Sequence, residues 1–301
     1  APSRREVRVD TATISFDPVR HRASNGFFEG NFKYRDPKTQ ASSIRAHYDI
    51  AGDQIVLTAS PGFDPTIVSD GQTLKAKQIE FSPKTGIAKA TGSVIAELVS
   101  KGGGPSAEST NLFPAGKPVF VNSDLLVLRQ VEKAAAFSGN VRAWQETNTL
   151  FADELQVQGP GQIMTARGNV RTVLYNTGTE ARKIPLRSKS DQLLARRAER
   201  DVELSGSVAI EDENRTLTGG KATLFFDAQR KIDRIEANEN VVLLEKAANR
   251  KGTGDKAIYH LKQRMAYLHG SPATATDPQG TLSGQQIVFD MARNRVQVLS
   301  P

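Results

Sequence analysis

The pentapeptide Phe137-Ser138-Gly139-Asn140-Val141 returns in altered form along most of the chain. It reads Ala90-Thr91-Gly92-Ser93-Val94 upstream, then Ala166-Arg167-Gly168-Asn169-Val170 and Leu204-Ser205-Gly206-Ser207-Val208. Worn copies stand at Ala237-Asn238-Glu239-Asn240-Val241 and Leu268-His269-Gly270-Ser271-Pro272. The last residues of these copies lie 47, 29, 38, 33 and 31 residues apart. Such a period marks a repeat architecture, in which each unit packs on its neighbours and function comes from an extended surface rather than one pocket.

Each unit has two halves. Around Gly206, Val202, Leu204, Val208 and Ile210 alternate with Glu203, Ser205 and Ala209; around Gly139, Phe137, Val141 and Ala143 alternate with Ser138, Arg142 and Trp144. Period two predicts a strand with one buried face, and a glycine inside it suits a bulge or tight bend. The other half has a small residue, two polar residues, then alternating apolar ones. Examples are Ala152-Asp153-Glu154 before Leu155 and Val157, and Gly254-Asp255-Lys256 before Ala257, Tyr259 and Leu261. Polar or Gly/Pro-rich segments such as 82–86, 227–230 and 262–264 fit turns between antiparallel strands. Asp191–Glu199 has some helical character but occupies a strand slot of the repeat, and strand is predicted there. Ala12, Ile14 and Phe16 extend the alternation to the N-terminus. The segments 101–118 and 176–188 account for the two longest intervals and read as exposed insertions.

Composition narrows the function classes. The 301 residues include no cysteine, which excludes disulfides, thiolate metal sites and cysteine catalysis. Forty basic against 33 acidic residues leave +7, a mild preference for anionic partners. No apolar run approaches the roughly 20 residues of a membrane-spanning helix. The chain opens at Ala1 rather than methionine, as a processed or truncated protein would. The four histidines are far apart without ligand spacing, no Gly-x-Ser-x-Gly elbow occurs, and no carboxylate pair stands out. No metal, cofactor or catalytic residue is expected. Clustered aromatics beside the basic residues, which single-stranded nucleic acid would require, are also lacking.

A unit near 30 residues with a single tryptophan, Trp144, is short for a propeller blade and long for a hexapeptide β-helix. An elongated open sandwich of antiparallel strands fits better, each unit adding about one rung. It would leave exposed edge strands at both ends.

Phe137-Ser-Gly-Asn-Val141 followed by Leu150-Phe-Ala-Asp-Glu-Leu155 resembles the OstA-like family of periplasmic lipopolysaccharide-transport proteins, which includes LptA and LptC. So does Gly252-Thr-Gly-Asp-Lys-Ala-Ile-Tyr259 followed by Met265-Ala-Tyr-Leu268. The resemblance is strong from about Val119 onward and thinner over Val7–Val99. It implies an all-β fold, an elongated antiparallel β-jellyroll with a taco-like, V-shaped two-sheet cross-section and an apolar groove. Lipid A acyl chains would ride in the groove of a non-enzymatic carrier. Protomers or partner domains would join head to tail through terminal strands, bridging inner and outer membranes. The chain is about twice the length of one such domain, which suggests two jellyrolls, 1–117 (LptC-like) and 118–301 (LptA-like).

On this reading the candidate groove-lining residues are Ile79, Phe81, Leu155, Val157, Leu224, Phe226, Tyr259, Leu261, Phe289 and Met291; the plainer alternative is that they fill a closed core. Each acyl methylene buried would contribute about 0.8 kcal/mol. Arg182, Lys183, Arg187, Lys189, Arg196 and Arg197 belong to the densest basic segment. They are candidates for a rim meeting lipid A phosphates, the plainer reading being a solvated loop and strand face. The end strands expected to join neighbours lie near Val9–Phe16 and Arg295–Leu299. The rival function is a structural β-repeat scaffold without a lipid ligand.

Overall fold

The computed structural model describes residues 5–69, 71–99, 112–113, 117–159, 162–175 and 184–299. The insertions predicted at 101–118 and 176–188 fall mostly outside these residues, as do Arg182 and Lys183. Every helix or strand among the described residues is a strand. In chain order they are β1 (Glu6–Arg8), β2 (Thr11–Phe16), β3 (Ala23–Arg35), β4 (Thr39–Asp49), β5 (Gln54–Thr58), β6 (Thr66–Ser69) and β7 (Gln72–Lys75). Next come β8 (Gln78–Ser82), β9 (Ile87–Leu98), β10 (Val119–Arg129), β11 (Ala134–Gln145), β12 (Asn148–Gln158), β13 (Ile163–Leu174) and β14 (Leu186–Arg196). The last are β15 (Asp201–Glu211), β16 (Arg215–Phe226), β17 (Ile232–Glu245), β18 (Arg250–His260), β19 (Met265–Asp277), β20 (Gly280–Asp290) and β21 (Arg295–Leu299). The segment with helical character is therefore strand, in β14 and the turn after it.

Two compact units divide the chain: residues 1–108, 115–145 and 154–160 form the first, and 109–114, 146–153 and 161–301 the second. Both are built the same way. Successive strands pair antiparallel, as in β10 with β11 and in the unbroken series from β13 to β21. In the first unit one rung is interrupted: β4 pairs with β6 through its first half and with β5 through its second, and β9 likewise takes β7 and β8.

Most rungs break register near their midpoint. Arg167 opposes Gln192 and Val170 opposes Ser190, so three residues advance on β13 against two on β14. The same extra residue occurs at Ser205/Val208 and Asn238/Val241. These are bulges, and the recurring Gly-Asn/Ser pair makes them. Gly139 and Asn140 both take left-handed φ (76° and 50°), as do Gly168 with Asn169 and Gly206 with Ser207. Glycine adopts that region freely, and asparagine tolerates it better than most residues.

The strand opposite supplies the matching half of the repeat. Asn140 Nδ2 donates to Asp124 Oδ2 at 2.8 Å, Asn169 to Asp153 at 2.8 Å, and Asn31 to Asp10 at 2.8 Å. The aspartate lies directly over the glycine: a Cβ added at Gly139 would stand 2.9 Å from Asp124 Cβ, and one at Gly206 2.8 Å from Asp191 Cβ. Burial slips phase at this crease. Ala152 and Leu155 are buried while Asp153 and Glu154 between them are exposed; Ser190, Asp191, Gln192 and Leu193 repeat the pattern. That is the physical content of the small-polar-polar-apolar motif: two adjacent side chains straddle the convex side of a bend. Where serine is the small residue, its hydroxyl donates to the carbonyl two residues on, Ser123 to Leu125 at 3.0 Å and Ser190 to Gln192 at 2.9 Å. It thereby satisfies a backbone acceptor beside the break in the ladder.

The valines of the repeat point inward, Val94, Val141, Val170, Val208 and Val241 all being buried. With Phe137, Leu204, Ile235 and Leu268 they form the apolar interior.

Candidate functional site

The folded-over sheet is demonstrated within each unit by side chains that could not otherwise meet. In the second unit the ladder places Arg215 opposite Glu245, and Glu245 opposite Arg250. Tyr259 lies nine residues beyond Arg250 on the same strand, roughly 30 Å away along an extended chain. Yet Arg215 Nη1 donates to the Tyr259 hydroxyl, and its guanidinium lies 5.2 Å from the ring centroid. The two ends of these strands therefore face each other across the interior, as the lips of a fold whose crease is the Gly-Asn/Ser line. Arg250 Nη1 reaches Asn294 Oδ1, in the turn after β20, at 3.4 Å.

The first unit shows the same device. Arg5 precedes the residue paired with Arg35 at one end of β3, and Asp53 lies in the turn beside the other end, yet they form an ion pair at 2.6 Å. Asp53 also accepts from the Tyr48 hydroxyl at 2.9 Å and from the Lys84 N–H at 2.7 Å. Burial pushes the Asp53 carboxyl up, but these three donors outweigh it and hold the group below its ordinary value. Burial and the bond to Asp36 push the nearby Tyr34 hydroxyl up.

Inside the lips lie most of the sequence-predicted lining residues. Ile79, Phe81, Leu155, Leu224, Phe226, Phe289 and Met291 are buried, from 0% exposed at Ile79 to 7% at Phe226 and Met291. Val157, Tyr259 and Leu261 are half-buried. The predicted basic rim divides. Arg187 and Lys189 are exposed on outward positions of β14. Arg196 instead holds Asp201 through Nε at 3.0 Å and Nη2 at 2.6 Å. Arg197 is half-buried beyond the strand; burial and the charge of Arg197 together push the Arg230 guanidinium down. Arg182 and Lys183 lie outside the described residues.

Sequence reasoning missed the inward charges at the lip. Asp212, Arg215, Glu245, Arg250 and Asp277 continue the inward phase of Ile210, Leu217, Leu243, Gly252 and Ala275 by one step each. Extending each strand's period two by one further step, two residues past its last buried inward position, would have found them.

Among the described residues the strand ladder is open at both ends. β2 pairs with β3 and is exposed along its whole length, including Ile14 and Phe16 at 40% and 65%. At the other terminus β21 pairs with β20, and Leu299 is exposed. Among the described residues no group of three or more His, Asp or Glu is placed to hold a metal ion, and no helix is long and apolar enough to cross a membrane.

No curated protein sequence matches the chain. The solved structures that match include the crystal structure of LptH, described as the LptA homologous periplasmic component of the conserved lipopolysaccharide transport device from Pseudomonas aeruginosa. It is 19% identical, covers 41% of this chain and 83% of its own, and superposes with a TM-score of 0.35. The family described as LptA/(LptD N-terminal domain) LPS transport protein matches residues 120–219 and 188–295, together more than half of the chain. With its repeated, creased antiparallel strands, the chain belongs to that family of lipopolysaccharide transport proteins.

Proposed function

We propose that this chain is a non-enzymatic carrier that moves lipopolysaccharide through the periplasm. Lipid A acyl chains would sit against the apolar inner faces, and neighbouring jellyroll proteins or copies would join through β2 and β21. The observation that carries the reading is the folded-over sheet with an apolar interior between lips, in a chain of this family. A fourteen-carbon acyl chain taken into such an interior gains on the order of 10 kcal/mol before entropy and reorganisation are subtracted. The exposed Arg187 and Lys189 are the rim positions best suited to lipid A phosphates. Titration with a fluorescent lipid A analogue tests the proposal: saturable binding that Leu224→Arg and Phe226→Asp abolish in folded protein supports it. No saturable binding, or full binding by both variants, refutes it. For assembly, Ile14→Lys with Phe16→Lys should reduce concentration-dependent association on size-exclusion chromatography.

One observation favours the rival reading of a ligand-free scaffold. Ile79, Leu155 and Leu224 are at most 2% exposed, so the interior is packed as it stands. An acyl chain must part those side chains to enter, and a protein that binds no amphiphile at all would be the scaffold.

A further inference from the structure

The inward row at the lip of the second unit alternates in sign: Asp212, Arg215, Glu245, Arg250, Asp277. Arg215 pairs with Asp212 at 3.8 Å, and Arg250 with Glu245 at 3.0 Å and Asp277 at 3.7 Å. These side chains are 9–26% exposed. Burying charge is costly unless it is paired, and leucines at the same inward positions would seal the interior at less cost. Arg215 Nε and Arg250 Nε are moreover buried without a hydrogen bond. The row also reaches across: Arg215 to the hydroxyl and ring of Tyr259, Arg250 to Asn294. It lies between the apolar layer of Leu217 and Leu243 and solvent, on the side opposite the crease.

We propose that this row and its cross-lip contacts form a latch. Closed, as in this structure, it bars an acyl chain from passing sideways between the lips; parted, it admits one. A polar latch suits that task because water compensates its separated groups at once, whereas separating an apolar seam exposes surface with no compensation. The proposal rests on the carrier reading for the identity of the cargo, but not for the motion itself.

The chain has no cysteine of its own, so introduced thiols report cleanly. The first measurement needs no lipid. A cysteine at buried Leu224 (Leu224→Cys) is labelled with a maleimide dye in the otherwise unaltered chain and with Tyr259→Phe or Arg215→Ala added. Circular dichroism confirms that each variant is folded. Tyr259→Phe keeps the ring and removes the acceptor, and labelling should accelerate roughly five-fold, the factor that one lost hydrogen bond is worth. Unchanged labelling in both variants overturns the latch. The second measurement uses Arg215→Cys with Tyr259→Cys, joined by a bismaleimide whose spacer contains a reducible disulfide, and labelled lipopolysaccharide as probe. Uptake should be lost on cross-linking and return on reduction. Uptake undiminished by the cross-link overturns the latch. Accelerated labelling with no lipopolysaccharide uptake in any form upholds the latch and refutes the carrier reading.

Discussion

Adding one methyl group at the crease should show how much of the fold depends on it. Gly139 holds φ +76°, and a Cβ there would lie 2.9 Å from Asp124 Cβ. Gly62 supplies the control, with φ +78° and nothing within 4 Å of its added Cβ. In Gly62→Ala only the left-handed backbone is penalised, by about 1–2 kcal/mol, partly offset by the less flexible unfolded chain. In Gly139→Ala the Asp124 side chain must also swing away, breaking its 2.8 Å bond from Asn140. That bond is solvent-exposed, so its loss adds only about 0.5–1 kcal/mol, and relieving the overlap costs a similar amount. The expected totals are about 1 kcal/mol for Gly62→Ala and about 2–3 kcal/mol for Gly139→Ala. The latter corresponds to a drop of roughly 4–10 °C in thermal midpoint for a unit of this size. Thermal and urea unfolding followed by circular dichroism would measure both. Asp124→Ala keeps its Cβ but removes the carboxylate that the added methyl would also strike and the bond from Asn140 that it would break, so Gly139→Ala should cost about 1 kcal/mol less in its presence. The reasoning fails if Gly139→Ala is no costlier than Gly62→Ala, or if Asp124→Ala leaves its cost unchanged.

Three further outcomes follow from the same structure. Leu204→Ala, at 1% exposure in the interior, should cost about 2–5 kcal/mol in urea unfolding, whereas Val131→Ala, 82% exposed, should cost under about 0.5 kcal/mol. Ser190→Ala removes the donor to the Gln192 carbonyl and should cost about 1 kcal/mol by the same assay. The third concerns acid. The Lys246 ammonium donating to Glu211 holds that carboxyl below its ordinary 4.5, outweighing burial. At Asp227 burial pushes upward, but the Lys231 N–H, Lys262 and the Gln229 N–H together leave it below 3.8. The unfolded state then binds more protons than the folded one. The stability these groups contribute is present above their ordinary values and is lost as pH falls through 4.5 and 3.8 towards the lowered folded ones. A thermal-midpoint series between pH 5 and 2 should show that decline, and it should be shallower in Glu211→Gln with Asp227→Asn.

Much of this arrangement is legible in the chain because strand pairing reads local pattern. Alternation around Gly206 predicts the inward Val202, Leu204, Val208 and Ile210, and the structure buries all four. The repeat also outranks local helical character at Asp191–Glu199, since a helix there would leave neighbouring strands without ladder partners. The basic rim was less legible. Arg196 looks like any other surface cation until the turn at 197–200 brings Asp201 back beside it.

The sequence by itself determined the strands, their inward faces and the crease. Each is specified by residues within a few positions of one another: period-two alternation, a Gly-Asn pair able to adopt left-handed backbone, and two polar residues straddling a bend. Only the tertiary structure decided what meets across the interior. Arg215 and Tyr259 are 44 positions apart in the chain and stand at opposite ends of their strands, and no local pattern links them. Their contact exists because the bulges of successive strands of the second unit align into one crease, and each small local turn adds to folding that unit's strands over. That alignment turns five charges resembling ordinary strand-end residues into an inward row between the apolar interior and water.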